Sequence, residues 1–125
     1  MAYLLAALGG ALGALARWAI AEMLADSPGG WPWPTLLVNL TGCLLLGALL
    51  AVLAARSPEP SWARPFLGIG VLGGYTTYST FAVEVVDLVD RGATVRAAGY
   101  VLFSVAGGVA AVVLGAVAVR RTAAR

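Results

Sequence analysis

The chain is 125 residues long, with 61% hydrophobic residues, 11% charged residues and a net charge of +2. A soluble domain carries about 25% charged residues, so the composition argues against a water-soluble globule, and the scattered Arg residues exclude a nucleic-acid-binding patch. With no His and one Cys, the chain lacks an internal disulfide and a zinc site built from those residues. The length suffices for four membrane-crossing helices of about 20 residues each.

The first two apolar segments are predicted to be membrane-spanning helices. The first extends from about residue 2 to residue 24, and because no basic residues precede its apolar stretch, we expect a retained crossing rather than a signal peptide. A loop rich in Pro, Gly and Trp follows over residues 25–34, and the second helix extends over about 35–55. Trp31 and Trp33 in this loop are typical of the boundary between membrane and water.

The third apolar segment carries the most informative part of the sequence. After a loop at 56–65 it extends over about 66–89, and its stretch Gly68–Phe81 holds four Gly residues and four Thr or Ser residues. Because paired Gly residues are unfavourable inside a helix, we predict a break near 73–79, although a continuous helix with small packing residues is the alternative. Non-helical backbone at membrane depth is tolerated only where it is buried in protein or lines a polar cavity. A fourth helix is predicted over about 94–119.

These elements predict an all-α membrane protein with a single domain of four crossings per subunit. Small residues four apart, as at Gly9 and Gly13 and at Gly107, Ala111 and Gly115, are typical of close helix packing, within a subunit or between subunits. Four thin helices barely enclose a polar path, so a transport function favours an oligomer. The Arg residues are only weakly biased to one side, which is compatible with insertion in both orientations.

Most polar side chains within the apolar segments are neutral hydrogen-bond donors. Such donors suit a small anion that must shed water and then leave again, because a fixed cation would hold it too tightly. Aromatic residues three apart share a helix face, and the electropositive ring edge also attracts an anion. The alternatives are an interhelical hydrogen bond for the amide, packing for the rings, an interface anchor for the helix-four Tyr and a Ser hydroxyl bonded to its own helix. The candidates are Asn39, Thr76, Thr77, Tyr78, Ser79, Thr80, Phe81, Tyr100 and Ser104.

Two charged residues within these segments have open roles. Arg17 lies about two-thirds along the first helix, where it can reach the interface by extending its side chain or attract anions at a pore mouth. Glu84 lies one turn after Phe81 on the same face. The sequence leaves open whether Glu84 is a gate, a partner for a cation or a charge at a helix end.

The stretch Gly73–Phe81 resembles the signature of the Fluc (CrcB) fluoride channels. Gly10–Trp18 in the first helix and Val38–Cys43 in the second match the same family, so the resemblance covers nearly the whole chain. It implies an antiparallel, dual-topology homodimer in the cell (plasma or inner) membrane, with two pores that export fluoride passively and so prevent its toxicity.

The resemblance also implies roles for individual residues. A structural sodium ion at the dimer interface would be held by the main-chain carbonyls of Gly73 and Thr76. The pore would be lined by the Asn39 amide, the rings of Tyr78 and Phe81, and a hydroxyl track at Tyr100 and Ser104. Three positions depart from the family pattern: Tyr78 occupies a position that is usually Phe, Gly108 falls where a third member of the track is expected, and Trp18 stands where Tyr or Phe is common.

Other functional classes are less well supported by the residues. A small proton-coupled multidrug exporter also uses four helices and antiparallel dimers, but it needs a carboxylate deep in the first helix, and the acidic residue there, Glu22, lies near the helix end. An accessory subunit without transport of its own is a further alternative. An enzyme is not expected, because no nucleophile–base pair or metal-ligand set is present.

Overall fold

A computed structural model describes residues 1–24 and 30–123, and every element within them is a helix. Residues 25–29 of the predicted first loop, and Arg125 of the basic tail, lie outside the described residues. The elements in chain order are α1 (Ala2–Met23), α2 (Trp33–Ala54), α3 (Arg64–Leu72, a π-helix), α4 (Gly73–Tyr75), α5 (Tyr78–Asp90) and α6 (Thr94–Ala123).

Three of the described helices are long and apolar enough to cross a membrane: α1 and α2, with 22 residues each, and α6, with 30. The third apolar segment is instead divided among α3, α4 and α5, which have 9, 3 and 13 residues. Between α4 and α5 the backbone is extended, with φ −75° and ψ 155° at Thr76 and φ −143° and ψ 124° at Thr77.

Two helices extend beyond the predicted limits. Helix α2 begins at Trp33 rather than near residue 35, because Pro34 falls in the first turn, where the missing N–H costs nothing. Helix α6 continues to Ala123 rather than ending near Val119, since its Arg and Ala residues are good helix formers and no Gly or Pro interrupts them.

The helices pack as two close pairs, α1 against α3 and α4, and α2 against α6. Glycines make each approach possible. A Cβ at Gly13 would overlap the carbonyl oxygen of Val71, and a Cβ at Gly115 would overlap that of Leu44. The spaced small residues on α1 and α6 therefore serve packing within one subunit.

Little of the chain is shielded from its surroundings, as expected for helices that face lipid. Large apolar side chains on the outer faces are exposed, including Leu15 at 60% and Phe103 at 61%. A small core cluster forms where α2, α5 and α6 meet, around Tyr100, which is 0% exposed. The rings of Phe81 and Trp31 pack against this cluster, which fixes the first turn of α5 beside the interruption.

Candidate functional site

The interruption between α4 and α5 is held by the amide of Asn39 on α2. Asn39 Nδ2 donates to the Thr77 carbonyl at 2.9 Å, and the Thr77 N–H donates to Asn39 Oδ1 at 2.8 Å. Because a backbone group that leaves the helix needs a partner when buried, this amide satisfies both polar groups of Thr77. One of the two Nδ2 hydrogens is thereby used, and the other stays available to a ligand.

The side chain of Thr77 caps the start of α5. The Thr80 N–H donates to Thr77 Oγ1 at 3.2 Å, and Thr77 Oγ1 donates to Thr80 Oγ1 at 2.9 Å. Ser79 Oγ lies 3.3 Å from Thr77 Oγ1. A Thr at the N-cap accepts a hydrogen bond from an N–H that has no partner within the helix. The Thr77 hydroxyl therefore stabilises the first turn of α5, which begins immediately after the extended residues.

The carbonyls that lose their helical donors at this point include those of Gly73 and Thr76. In a continuous helix the Thr77 N–H would bond to the Gly73 carbonyl, but it donates to Asn39 instead. The Thr80 N–H, which would bond to the Thr76 carbonyl, donates to the Thr77 side chain. The Gly73 and Thr76 carbonyls are therefore left with acceptor capacity, and oxygen-only ligands of this kind are those that unwound membrane helices offer to Na⁺.

A groove of about 380 Å³ opens beside the interruption, between α2, the divided third segment and α6. Its wall contains neutral hydrogen-bond donors, main-chain carbonyl groups of the interruption and aromatic rings. None of its described lining residues has a charged side chain. The predicted site residues that it brings together are Asn39, Gly73, Thr76, Thr77, Tyr78, Phe81 and Ser104.

The aromatic pair lies on the wall of this groove. The ring centroids of Tyr78 and Phe81 are 5.9 Å apart and their planes are inclined by 45°. The Tyr78 side chain is 80% exposed in the single chain, whereas Phe81 is half-buried and packs on Tyr100 with centroids 5.1 Å apart. Phe81 thus packs against the core cluster and also lines the groove.

The two predicted track residues of α6 have different environments. The Tyr100 hydroxyl donates to Glu84 Oε2 at 2.7 Å, and its ring is enclosed in the core cluster rather than on the groove. Ser104 does line the groove, and its Oγ is buried without a hydrogen-bond partner in the described chain. The alternative of a Ser hydroxyl bonded to its own helix is therefore wrong for Ser104.

Glu84 is held inside the protein by hydroxyl groups. Its Oε1 accepts from Thr35 Oγ1 at 2.7 Å, and its Oε2 accepts from the Tyr100 hydroxyl at 2.7 Å. Such charge-assisted bonds are stronger than bonds between neutral groups. The interpretation of Glu84 as merely a charge at a helix end is thus wrong, because the residue joins α2, α5 and α6.

Arg17 lies apart from the groove, on a second cavity of about 280 Å³ between α1, the start of α2 and the start of α5. Thr35, Thr77 and Thr80 also line this cavity, and Thr77 is shared with the groove. Arg17 forms no ion pair with any residue of the described ranges. Arg17 therefore adds a positive charge to the wall of a cavity that meets the groove at Thr77.

Sequence comparison identifies the family. Residues 4–116 match the family model described as CrcB-like protein, Camphor Resistance (CrcB). The chain belongs to the CrcB family. Among its relatives, the "Fluoride-specific ion channel FluC" of Bordetella petrii is 48% identical over 113 residues, covering 90% of this chain and 87% of the relative. The "Fluoride-specific ion channel FluC 1" of Mycolicibacterium paratuberculosis is 45% identical over 117 residues, covering 94% and 89%.

Membership of the CrcB family confirms the resemblance and several predictions that rest on it. The chain is a multi-pass protein of the cell membrane and not an enzyme, as its family and its apolar helices indicate. The exporter alternative finds no support, because Glu22 is the penultimate residue of α1 and is exposed, far from any internal position.

Two residues near Asn39 were not predicted as candidates from the sequence. Thr35 binds Glu84, and Cys43 lines the groove. Both lie four residues from Asn39, so the three residues share one face of α2. That spacing is the sequence signal that would have found them.

Proposed function

We propose that this protein is a fluoride-selective channel that lets fluoride leave the cell passively and so prevents fluoride toxicity. The observation that carries the proposal is the groove at the interrupted segment, whose wall offers ring edges and neutral donors but no cationic side chain. The names of the relatives, which are 45% and 48% identical to this chain, support the same ion.

The chemistry of the groove suits a small, strongly hydrated anion. The free Nδ2 hydrogen of Asn39, the Ser104 hydroxyl and the edges of Tyr78 and Phe81 replace water one contact at a time. Each contact is weak on its own, so the ion can leave as easily as it enters. The hydroxyls of Thr77, Ser79 and Thr80 lie beside this path at the start of α5. Tyr100, which donates to Glu84, packs against the Phe81 ring that lines the path.

The divided third segment forms the third crossing in this proposal, broken at membrane depth. At about 1.5 Å per residue, the 13 residues of α5 cover about 20 Å, which is less than the roughly 30 Å of a hydrocarbon core. Helices α3 and α4 add 9 and 3 residues, so only the two halves together can span. The extended residues between them then lie within the membrane, where Asn39 satisfies them.

A second copy of this chain, inserted antiparallel, covers the groove in this proposal. The groove is open in the single chain, and Tyr78 on its wall is 80% exposed, which leaves a surface that suits another protein subunit. The weak Arg bias supports insertion in both orientations.

The resemblance further implies a sodium ion between the two copies, and the donor set fits it. The Gly73 and Thr76 carbonyls of each copy would hold the ion, because their helical donors are engaged elsewhere. The ion would supply a positive charge that fixes the interruption. The extended backbone at Thr76 and Thr77, held by the Asn39 amide, keeps the helical N–H donors away from these carbonyls.

Efflux from proteoliposomes loaded with fluoride and read with a fluoride electrode tests the proposed function. Purified protein should release fluoride far faster than empty vesicles, and Asn39→Asp should abolish release because the new charge repels the anion. Release equal to that from empty vesicles, or equal release of chloride, would contradict the proposal. A protein that conducts only with a partner would favour the accessory-subunit alternative.

The orientation of the dimer has a separate test. In a Cys43→Ser background, a single Ser57→Cys reporter is labelled with a membrane-impermeant maleimide from outside intact cells. Dual insertion predicts labelling of about half of the protein, whereas labelling of all or none would exclude it.

A further inference from the structure

Ser104 presents an unused donor to the groove. Its Oγ is buried, lines the groove and has no hydrogen-bond partner among the described residues. A buried hydroxyl without a partner is uncommon and indicates a ligand or a water molecule. One helical turn later on the same face, about 6 Å along α6, Gly108 offers no side chain with which the contact could continue.

The sulfur of Cys43 occupies the space beside that gap. Cys43 projects from α2 onto the same groove, and a Cβ at Gly108 would lie 3.4 Å from its Sγ. The thiol is free and only half-buried, and its Sγ forms no hydrogen bond with the described part of the chain. Ser104 and Cys43 are thus two neighbouring donors, from different helices, that both lack a protein partner.

We infer that the Cys43 thiol is a further donor on the anion path, next after Ser104, and supplies from α2 the donor that α6 lacks at Gly108. The inference rests on the proposed fluoride channel. A thiol is a weak S–H donor and a polarisable group, so it offers a contact that a fluoride ion can leave readily. No covalent step is involved, because the neutral thiol only donates its hydrogen.

Fluoride efflux from proteoliposomes, compared for four variants and the wild type, tests this inference. Loss of one neutral hydrogen bond predicts that Cys43→Ala slows efflux by about two- to tenfold. Cys43→Ser, which keeps a donor of similar size, should conduct within about twofold of the wild type. Adding a hydroxyl with Gly108→Ser to Cys43→Ala should restore efflux, whereas the matched Gly108→Ala in the same background should not.

The outcomes separate this inference from the proposed function. Wild-type protein that fails to conduct overturns both. Conducting wild type with an equally fast Cys43→Ala variant overturns only the role of the thiol. If Cys43→Ala and Cys43→Ser slow efflux equally, or if the two double variants conduct equally, Cys43 serves packing. Either result also overturns the role of the thiol as a donor. Dimer elution and thermal unfolding temperature, measured for every variant, confirm that folded protein is compared.

Discussion

Replacing Asn39 with Ala removes both hydrogen bonds that join α2 to the backbone of Thr77, of 2.9 and 2.8 Å. Thr77 is 7% exposed, so its N–H and carbonyl lose their partners at a largely buried position. Each buried polar group left unpaired costs about 1–3 kcal/mol. The two groups together predict a loss of about 2–6 kcal/mol in the free energy of unfolding. The other side chains that line the groove are unchanged in this variant, so the loss of stability is assigned to the Asn39 amide.

Thermal unfolding of the purified protein in detergent, followed by tryptophan fluorescence, measures this loss. Asn39→Ala should lower the unfolding temperature by about 5–20 °C at the usual few degrees per kcal/mol. The control is Thr122→Ala, because the Thr122 hydroxyl is exposed and bonds only to carbonyls of its own helix; it should change stability by less than about 0.5 kcal/mol. If Asn39→Ala unfolds at the wild-type temperature, the amide does not stabilise the interruption.

The remaining substitutions separate packing from conduction. Gly13→Ala should disrupt folding, because its Cβ meets the backbone of α3, whereas Gly10→Ala, with nothing within 4 Å, should elute as wild type; equal elution profiles would refute the close packing of α1. Phe81→Ile keeps bulk but removes the ring edge, so fluoride efflux should fall at least about tenfold with an unchanged elution profile, and unchanged efflux would count against aromatic contacts. Thr35→Val removes a hydrogen-bond donor to Glu84 and should lower the free energy of unfolding by about 1.5–3 kcal/mol. An unaltered unfolding temperature would show that this hydrogen bond does not stabilise the fold.

The sequence predicts a break near 73–79 but not the contacts that stabilise the extended residues there. Paired glycines and clustered hydroxyls predicted a departure from helix within 73–79, and the extended residues are Thr76 and Thr77. The partner of Thr77 is Asn39, 38 residues earlier, and local propensity carries no information about such a distant contact. From the sequence we expected this amide to donate to the ion, with an interhelical hydrogen bond as the alternative. In the structure the Asn39 amide forms the interhelical bonds to Thr77, and one of its two Nδ2 hydrogens remains unused.

Helical spacing predicts which residues share a face but not how far each side chain reaches. Tyr100 and Ser104 are one turn apart, yet the long Tyr side chain ends at Glu84 in the core and the short Ser side chain ends at the groove. The charge of Glu84 was recognised, whereas its two hydroxyl partners depend on how three helices meet.

Fluoride, and not a larger halide, should pass along the groove. Currents through the purified protein in a planar bilayer, recorded with opposing gradients of fluoride and chloride, measure this selectivity. We expect the current to reverse at the equilibrium potential of fluoride. Reversal at the chloride potential, or midway between the two, would refute a fluoride-selective path.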